Sequence, residues 1–276
     1  MHVARTVSEL HALTSKKKHI GFVPTMGALH DGHLSLIHIA QQKSDMVVAS
    51  IFVNKTQFAA HEDLATYPRQ EQTDLELLEA NGTDIVYLPS DELMYPDGFS
   101  TSIDIGPIGS WLEGQPRPHF FGGVCLIVTK LLMQVMPTIA VFGEKDYQQL
   151  LIIQKLVREL NIPTSIIGGP ILRDADGLAM SSRNQYLNKK QRAIAPSLFA
   201  CLTNLSNTID LSNYHQQLTQ HQAKLIEAGF DSVDYLELRD ADTLEPINDT
   251  TEHYRLLGAA RLDNTRLIDN LMCLGN

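Results

Sequence analysis

Two short apolar runs narrow the choice of fold most, because each is of strand length and each feeds a turn and then a helix. His19 to Val23 reads as a buried strand that ends at Pro24. A turn with Gly27 and Gly32 follows, and an amphipathic run opens at His33-Leu34-Ser35-Leu36-Ile37 and reaches about Lys43. Met46-Val47-Val48-Ala49-Ser50-Ile51-Phe52-Val53 is apolar on both faces, which suits the interior of a parallel sheet. Further strands at Asp84 to Leu88, Thr138 to Phe142 and Thr164 to Ile167 alternate with helices at Gln70 to Ala80 and Val124 to Val135. A first helix precedes them over Val7 to Lys18. After about Asn188 the order changes to helices, Lys189 to Asn207 and Asn213 to Gly229. Three strand-like runs then follow at Val233 to Leu238, Tyr254 to Leu262 and Thr265 to Asp269. The last two are joined through a tight Asp263-Asn264 turn. The expectation is an α/β chain, with a parallel-sheet N-terminal domain over 1–175 and a smaller α+β domain over 176–276.

The first strand–turn–helix is a place to hold phosphate, since a helix N-terminus offers unpaired N–H groups and positive potential. His30 and His33 stand three apart, so their rings face one pocket if the turn is helical. Two imidazoles there can donate hydrogen bonds, and a protonated one can neutralise charge as a leaving group departs. In open α/β sheets ligands sit beyond the carboxyl ends of the strands, which puts Asn54 and Gln57 within reach of one. Uncharged amides there suit a hydroxyl or a carboxylate. Lys145, next to the strand-to-helix turn at Gly143, opposes the helix dipole unless an anion compensates it. Asp146 and Gln149 share one face of the helix that follows. Ser181-Ser182-Arg183 combines two hydroxyls with a guanidinium, a grip suited to phosphate. The irregular tract from Pro89 to Gly114 reads as a lid or binding loop.

A net charge of −10 argues against a nucleic-acid partner. No uncharged run is long enough to span a bilayer, and Met1 to Arg5 lacks the apolar core of a secretory signal. Cys125, Cys201 and Cys273 are too scattered for a zinc site or disulfide framework, so the expected setting is a reducing cytoplasm.

The string His30-Asp31-Gly32-His33 resembles the His-x-Gly-His signature of nucleotidyltransferases and class I aminoacyl-tRNA synthetases. Met180-Ser181-Ser182-Arg183 resembles their Lys-Met-Ser-Lys-Ser loop, except that no lysine precedes Met180; Lys145 is the candidate for that work. Taken with Pro24 to His33, Ser50 to Asn54, Gln57-Phe58, Tyr67-Pro68-Arg69, Phe142 to Gln149 and Asp176 to Asn184, the ordered set resembles the pantothenate synthetase (pantoate–β-alanine ligase) family nearly end to end.

The resemblance implies a Rossmann-like N-terminal domain carrying most of the active site, a C-terminal domain covering it, and a cytoplasmic homodimer. It implies a ligase of pantothenate biosynthesis that condenses pantoate with β-alanine through a pantoyl adenylate, using ATP and Mg2+ and releasing AMP and pyrophosphate. The sequence shows no all-protein cage for the metal. Carried over, Met26, Gly27, Ala28, Leu29, His30, Asp31, Gly32 and His33 line the ATP site, with His33 the catalytic donor and His30 its partner. Gly143, Glu144, Lys145 and Asp146 hold the nucleotide, Lys145 on phosphate and Asp146 on the ribose side. The backbone at Leu172 meets the adenine, and Met180, Ser181, Ser182 and Arg183 meet the phosphates. Gln57 and Gln149 contact pantoate, Gln57 also lies near β-alanine, and Asn54 stands beside them.

Three departures stand out: Lys55 where the family has proline, Asp174 where glutamate is common, and Phe120 where a histidine aligns, with His119 one place early. The competing readings are an adenylyltransferase with a phosphorylated acceptor and an ATP sensor without turnover. The amides at 54, 57 and 149 favour a small hydroxy acid over the first. The retained histidines, Lys145 and Ser-Ser-Arg loop favour catalysis over the second. A tRNA synthetase is excluded by the acidic charge and the lack of an anticodon-binding domain.

Overall fold

The computed structural model describes residues 1–15, 17–57 and 68–273. Phe58 and Tyr67, which belong to two of the motifs above, and Lys16 of the expected first helix lie outside the described residues. Contacts divide the chain into two compact units. One is Met1–Glu144 with Gln148–Pro170; the other is Lys145–Tyr147 with Ile171–Asn276. The division by contacts falls after Pro170, and the three residues Lys145–Tyr147 group with the second unit.

The first unit is a six-stranded parallel sheet. Its strands are β1 (His2–Ala4), β2 (Ile20–Thr25), β3 (Met46–Ile51), β4 (Ile85–Tyr87), β5 (Ile139–Gly143) and β6 (Ser165–Gly169). They lie in the order β1-β4-β3-β2-β5-β6. Between them run α1 (Val7–Thr14), α2 (Asp31–Lys43), α3 (Glu71–Ala80), the single turn α4 (Asp91–Met94), α5 (Phe120–Val135) and α6 (Tyr147–Glu159). The continuous apolar runs become the buried middle of the sheet: Phe22, Val23, Val47, Val48, Ala49, Ile85, Val86, Ala140 and Val141 are all buried. α1 starts on a capping box, Thr6 with Glu9, and ends at Thr14 rather than continuing to Lys18.

The winding runs from β2 outward through β3 and β4, then returns to β5 on the other side of β2. A crevice is expected beyond the carboxyl ends of such a pair. β2 and β5 pair only at Gly21↔Ile139 and Phe22↔Ala140, whereas β5 pairs with β6 over five residues. The sheet therefore has its discontinuity where the histidine turn leaves β2 and where Gly143 ends β5.

In the second unit, α7 (Lys189–Ile194), α8 (Ser197–Thr208) and α9 (Tyr214–Ala228) pack on an antiparallel sheet of β7 (Ser232–Asp240), β8 (Tyr254–Leu262) and β9 (Thr265–Cys273). The single helix expected over Lys189 to Asn207 is two, because Pro196 cannot continue the first and serves as the N-cap of the second. β9 runs four residues past the expected end at Asp269.

Candidate active site

The turn that leaves β2 is held from inside. Thr25 Oγ1 donates to the Ser50 carbonyl at 2.8 Å and accepts the Gly27 N–H at 3.1 Å. Gly27 and Ala28 both take positive φ, +78° and +52°, a strain that only a well-determined surround keeps in place for alanine. Asp74, in the first turn of α3 and 1% exposed, provides that surround. Its carboxylate accepts the Ala28 N–H at 2.9 Å and the Leu29 N–H at 2.8 Å. Burial pushes the Asp74 carboxyl up from its ordinary range, and the two amides act against that shift. The amides of 27, 28 and 29 are therefore engaged by the protein.

Several side chains converge here. His30 is the N-cap of α2, and its Nδ1 accepts the Gly32 N–H at 3.1 Å. An acceptor role at Nδ1 puts the proton of a neutral His30 ring on Nε2, so the outer nitrogen is the donor. The His33 ring lies with its centroid 4.1 Å from that of His30, at 44°, as the three-residue spacing requires. Met26 Sδ sits 2.7 Å from the Gln57 amide nitrogen. That amide is oriented by Asn54, whose Nδ2 donates to Gln57 Oε1 at 3.1 Å and to the Gly123 carbonyl at 3.1 Å. Asn54 Oδ1 accepts from the Tyr95 hydroxyl at 2.6 Å and from Thr56 Oγ1 at 3.0 Å.

Asn54 is 1% exposed, and its amide is bonded on both sides. In this structure it orients Gln57. Gly123 has no room for a side chain: a Cβ would lie 2.5 Å from the Thr56 carbonyl oxygen.

Lys55 replaces proline rigidity with an ion pair, its Nζ 2.6 Å from Asp91 on α4. Gln148 on α6, buried, anchors the tract before α5. Its Oε1 accepts the Glu113 N–H at 3.0 Å, and its Nε2 donates to the carbonyls of Ile108 and Trp111, each at 2.8 Å. Gln149, next to it in the helix, is half-buried. Phe120 opens α5 under the Arg117 guanidinium, 3.8 Å above its ring, while His119 is the exposed N-cap of that helix.

In the second unit, Lys145 lies in the 3-10 turn Glu144–Asp146. Its side chain is mostly covered, with Nζ 3.6 Å from the Asp146 carboxylate. The segment from Leu172 to Met180 is a small hairpin: the Leu172 carbonyl accepts the Met180 N–H at 3.0 Å, and Asp174 N–H donates to Leu178 O at 2.9 Å. Asp174, the residue where glutamate is common, pairs with Arg192 at 2.9 Å. Ser181 then caps the 3-10 turn Ser182–Tyr186, its Oγ accepting the Arg183 N–H at 3.3 Å. The three cysteines are free thiols. Burial pushes Cys125 up to about 12 and both Cys201 and Cys273 up to about 11.

A family model described as pantoate-beta-alanine ligase matches residues 2–272. The chain belongs to the pantoate-beta-alanine ligase family. It is 46% identical over 276 residues to the pantothenate synthetase of Paramagnetospirillum magneticum, covering 98% of this chain and 97% of that one. It is 48% identical over 275 residues to that of Rhodospirillum rubrum, covering 98% of each. The structure is similar to the crystal structure of the Thermus thermophilus pantothenate synthetase, with a TM-score of 0.90 at 40% identity over the whole of both chains. It is also similar to the Francisella tularensis pantoate-beta-alanine ligase complexed with beta-gamma ATP and beta-alanine, with a TM-score of 0.82 at 36% identity over 99% and 97% of the chains. Membership makes the chain an enzyme of the ligase class. Asp74, Thr25 and Tyr95 were not anticipated from sequence. A carboxylate at 74, one turn ahead of Leu77 and Leu78 on the buried stripe of α3, was the available signal for the first.

Proposed function

We propose that this chain joins pantoate to β-alanine through a pantoyl adenylate, and that the paired imidazoles of His30 and His33 carry the first step. In that step a carboxylate oxygen of pantoate attacks the α-phosphorus of ATP. The bond from the α-phosphorus to the bridging oxygen breaks, and pyrophosphate leaves. In the second, the β-alanine amine attacks the acyl carbon, the C–O bond to AMP breaks, and the amine loses a proton. A free carboxylate is a poor acyl donor and its adenylate a good one. What the protein supplies is alignment of the reactants and relief of charge on the phosphates.

The local geometry supports the histidine and Gln57 roles, and the family resemblance supplies the others. His33 donates to the phosphates, and His30, with its proton held on the outer nitrogen, donates beside it. Met26 to His33 line the nucleotide site together with Gly143 and Glu144. In the second unit Lys145 is assigned to phosphate, Asp146 to the ribose, Leu172 to the adenine, and Met180, Ser181, Ser182 and Arg183 to phosphate. Gln57, its oxygen occupied by Asn54, presents N–H groups to the pantoate hydroxyl or carboxylate, and Gln149 contacts the same acid. Among the described residues no three His, Cys, Asp or Glu side chains gather to hold a metal ion. Mg2+ bound together with the ATP would neutralise phosphate charge. A homodimer in the cytoplasm is the assembly and setting we propose; no helix among the described residues is long and apolar enough to cross a membrane.

The observation that carries this reading is the pair of rings 4.1 Å apart at the carboxyl end of β2. The test is exchange of labelled pyrophosphate into ATP with β-alanine left out. Exchange that requires pantoate supports the adenylate. AMP formation without any such exchange would overturn the order of steps. A phosphorylated acceptor taking AMP would restore the adenylyltransferase alternative.

A further inference from the structure

We infer that Asn270 is a positioning residue for Lys145, and that the dipeptide Asp269-Asn270 on β9 ties both nucleotide segments of the second unit to one strand. The inference rests on the assignment of Lys145 to the ATP phosphates. Successive residues of a strand point to opposite faces of the sheet. Here both faces of one dipeptide are polar and buried, Asp269 at 4% and Asn270 at 2% exposure, in a strand otherwise built for packing.

On one face Asp269 grips Arg173 through two parallel bonds, 2.6 and 2.8 Å, the bidentate geometry that fixes a guanidinium best. Arg173 stands at the base of the Leu172 to Met180 hairpin. It also donates to the Gly177 carbonyl at 3.1 Å, with its guanidinium 3.6 Å over the Phe199 ring.

On the other face Asn270 Nδ2 donates to the Lys145 carbonyl at 3.0 Å. Asn270 Oδ1 accepts from Arg255, which fixes which end of the amide faces Lys145. Arg255, also buried, lies 3.5 Å over the ring of Tyr147, whose hydroxyl donates to Ala241 O at 2.8 Å. Lys145 to Tyr147 are thus held by backbone, ring and hydroxyl contacts from the C-terminal sheet. This is why they group with the second unit although they follow β5 in the chain. A lysine that must meet a phosphate needs its backbone fixed before its side chain can be aimed, and Asn270 provides the bond at that residue.

Asn270→Asp separates this role from packing. The substitution keeps the shape and the acceptor for Arg255 but removes the side-chain donor that reaches the Lys145 carbonyl. Pantoate-dependent pyrophosphate–ATP exchange should fall by about 10- to 100-fold, the range expected when a catalytic group is displaced by around 1 Å. Thermal midpoint and circular dichroism should stay close to wild type. Lys145→Ala should be slow on its own, and adding Asn270→Asp or Asn270→Ala to it should slow it little further, because the tether then holds nothing that acts.

A folded Asn270→Asp enzyme exchanging at the wild-type rate beside a crippled Lys145→Ala would overturn the tether while leaving Lys145 in its role. The same holds if Asn270→Ala slows the Lys145→Ala enzyme as much as it slows wild type, a readout that stands even where Asn270→Asp folds poorly. Wild-type exchange by Lys145→Ala would overturn the lysine assignment and the tether with it.

Discussion

Replacing Asp74 by alanine tests whether the histidine turn is shaped from beneath by one buried carboxylate. The side chain accepts two backbone N–H groups, those of Ala28 and Leu29, and is 1% exposed. Each buried amide left without an acceptor costs about 1–3 kcal/mol, so the two together reach roughly 2–6 kcal/mol. Two effects act in the other direction. Burial already disfavours the Asp74 anion, so its removal relieves a desolvation cost. The turn can also relax from the positive φ at Ala28, releasing strain on the order of 1–3 kcal/mol.

The net expectation is a loss at the lower end, about 2–3 kcal/mol, with the turn rearranged rather than the sheet unfolded. His30 and His33 then lose their mutual placement, and pyrophosphate–ATP exchange should fall by about 100-fold or more. Denaturant unfolding followed by circular dichroism reads the first quantity, and the exchange assay reads the second. A variant within about 0.5 kcal/mol of wild type and exchanging at its rate would refute the reasoning, since a surface position behaves that way.

The pH dependence carries a sign of its own. The folded carboxyl is raised above its ordinary 3.8, so the native state holds this proton more tightly than the unfolded chain. Its contribution to stability is therefore largest in acid and declines as pH rises from about 3.8 through the raised folded value. In Asp74→Asn that slope should vanish. A variant with an unchanged pH–stability curve in this window would show that the carboxyl does not titrate as its surroundings require.

Other expectations follow from the same geometry. His33→Ala should cost orders of magnitude in exchange at nearly unchanged stability. His30→Ala should also lose about 0.5–2 kcal/mol, because His30 caps α2, and His30→Asn should recover that stability without the rate. Tyr95→Phe removes the hydroxyl that donates to Asn54 Oδ1, loosening the amide that aims Gln57, so KM for pantoate should rise several-fold while KM for ATP holds. Iodoacetamide near neutral pH should leave activity intact over hours, because thiols pushed up to about 11 and 12 are almost wholly protonated there; rapid inactivation would contradict their burial.

The parallel sheet was legible because its signals are local. Met46 to Val53 is apolar on both faces, and Pro24, Gly27 and Gly143 mark where strands give way to turns. β1 was missed because three residues, only one of them buried, hold no periodicity. The two histidines were legible for the same reason as the sheet, since a three-residue spacing at a helix start fixes where the rings go. The break at Pro196 was open to a rule about proline that the continuous helical pattern around it outweighed.

What the sequence hid is a class of residue rather than a scatter of errors. Asp74 serves a turn 46 residues earlier, Asn54 fixes Gln57 and the Gly123 carbonyl, and Asn270 serves a carbonyl 125 residues earlier. Asp74 and Asn270 lie outside every motif quoted above, and Asn54, which ends one of them, shows its supporting role only in the fold. Each is a polar side chain on a surface that local pattern would fill with leucine, and burial is tolerable only because backbone groups of the site complete its hydrogen bonds. That reverses the usual inference from a buried polar residue. The side chain is not stabilised by the loop so much as the loop is shaped by it: at Ala28 the carboxylate faces a backbone angle that alanine rarely adopts, and at Lys145 an amide faces a residue carrying charge where a helix begins. Polar residues on apolar stripes are therefore the positions at which a sequence of this family marks the supports of its site.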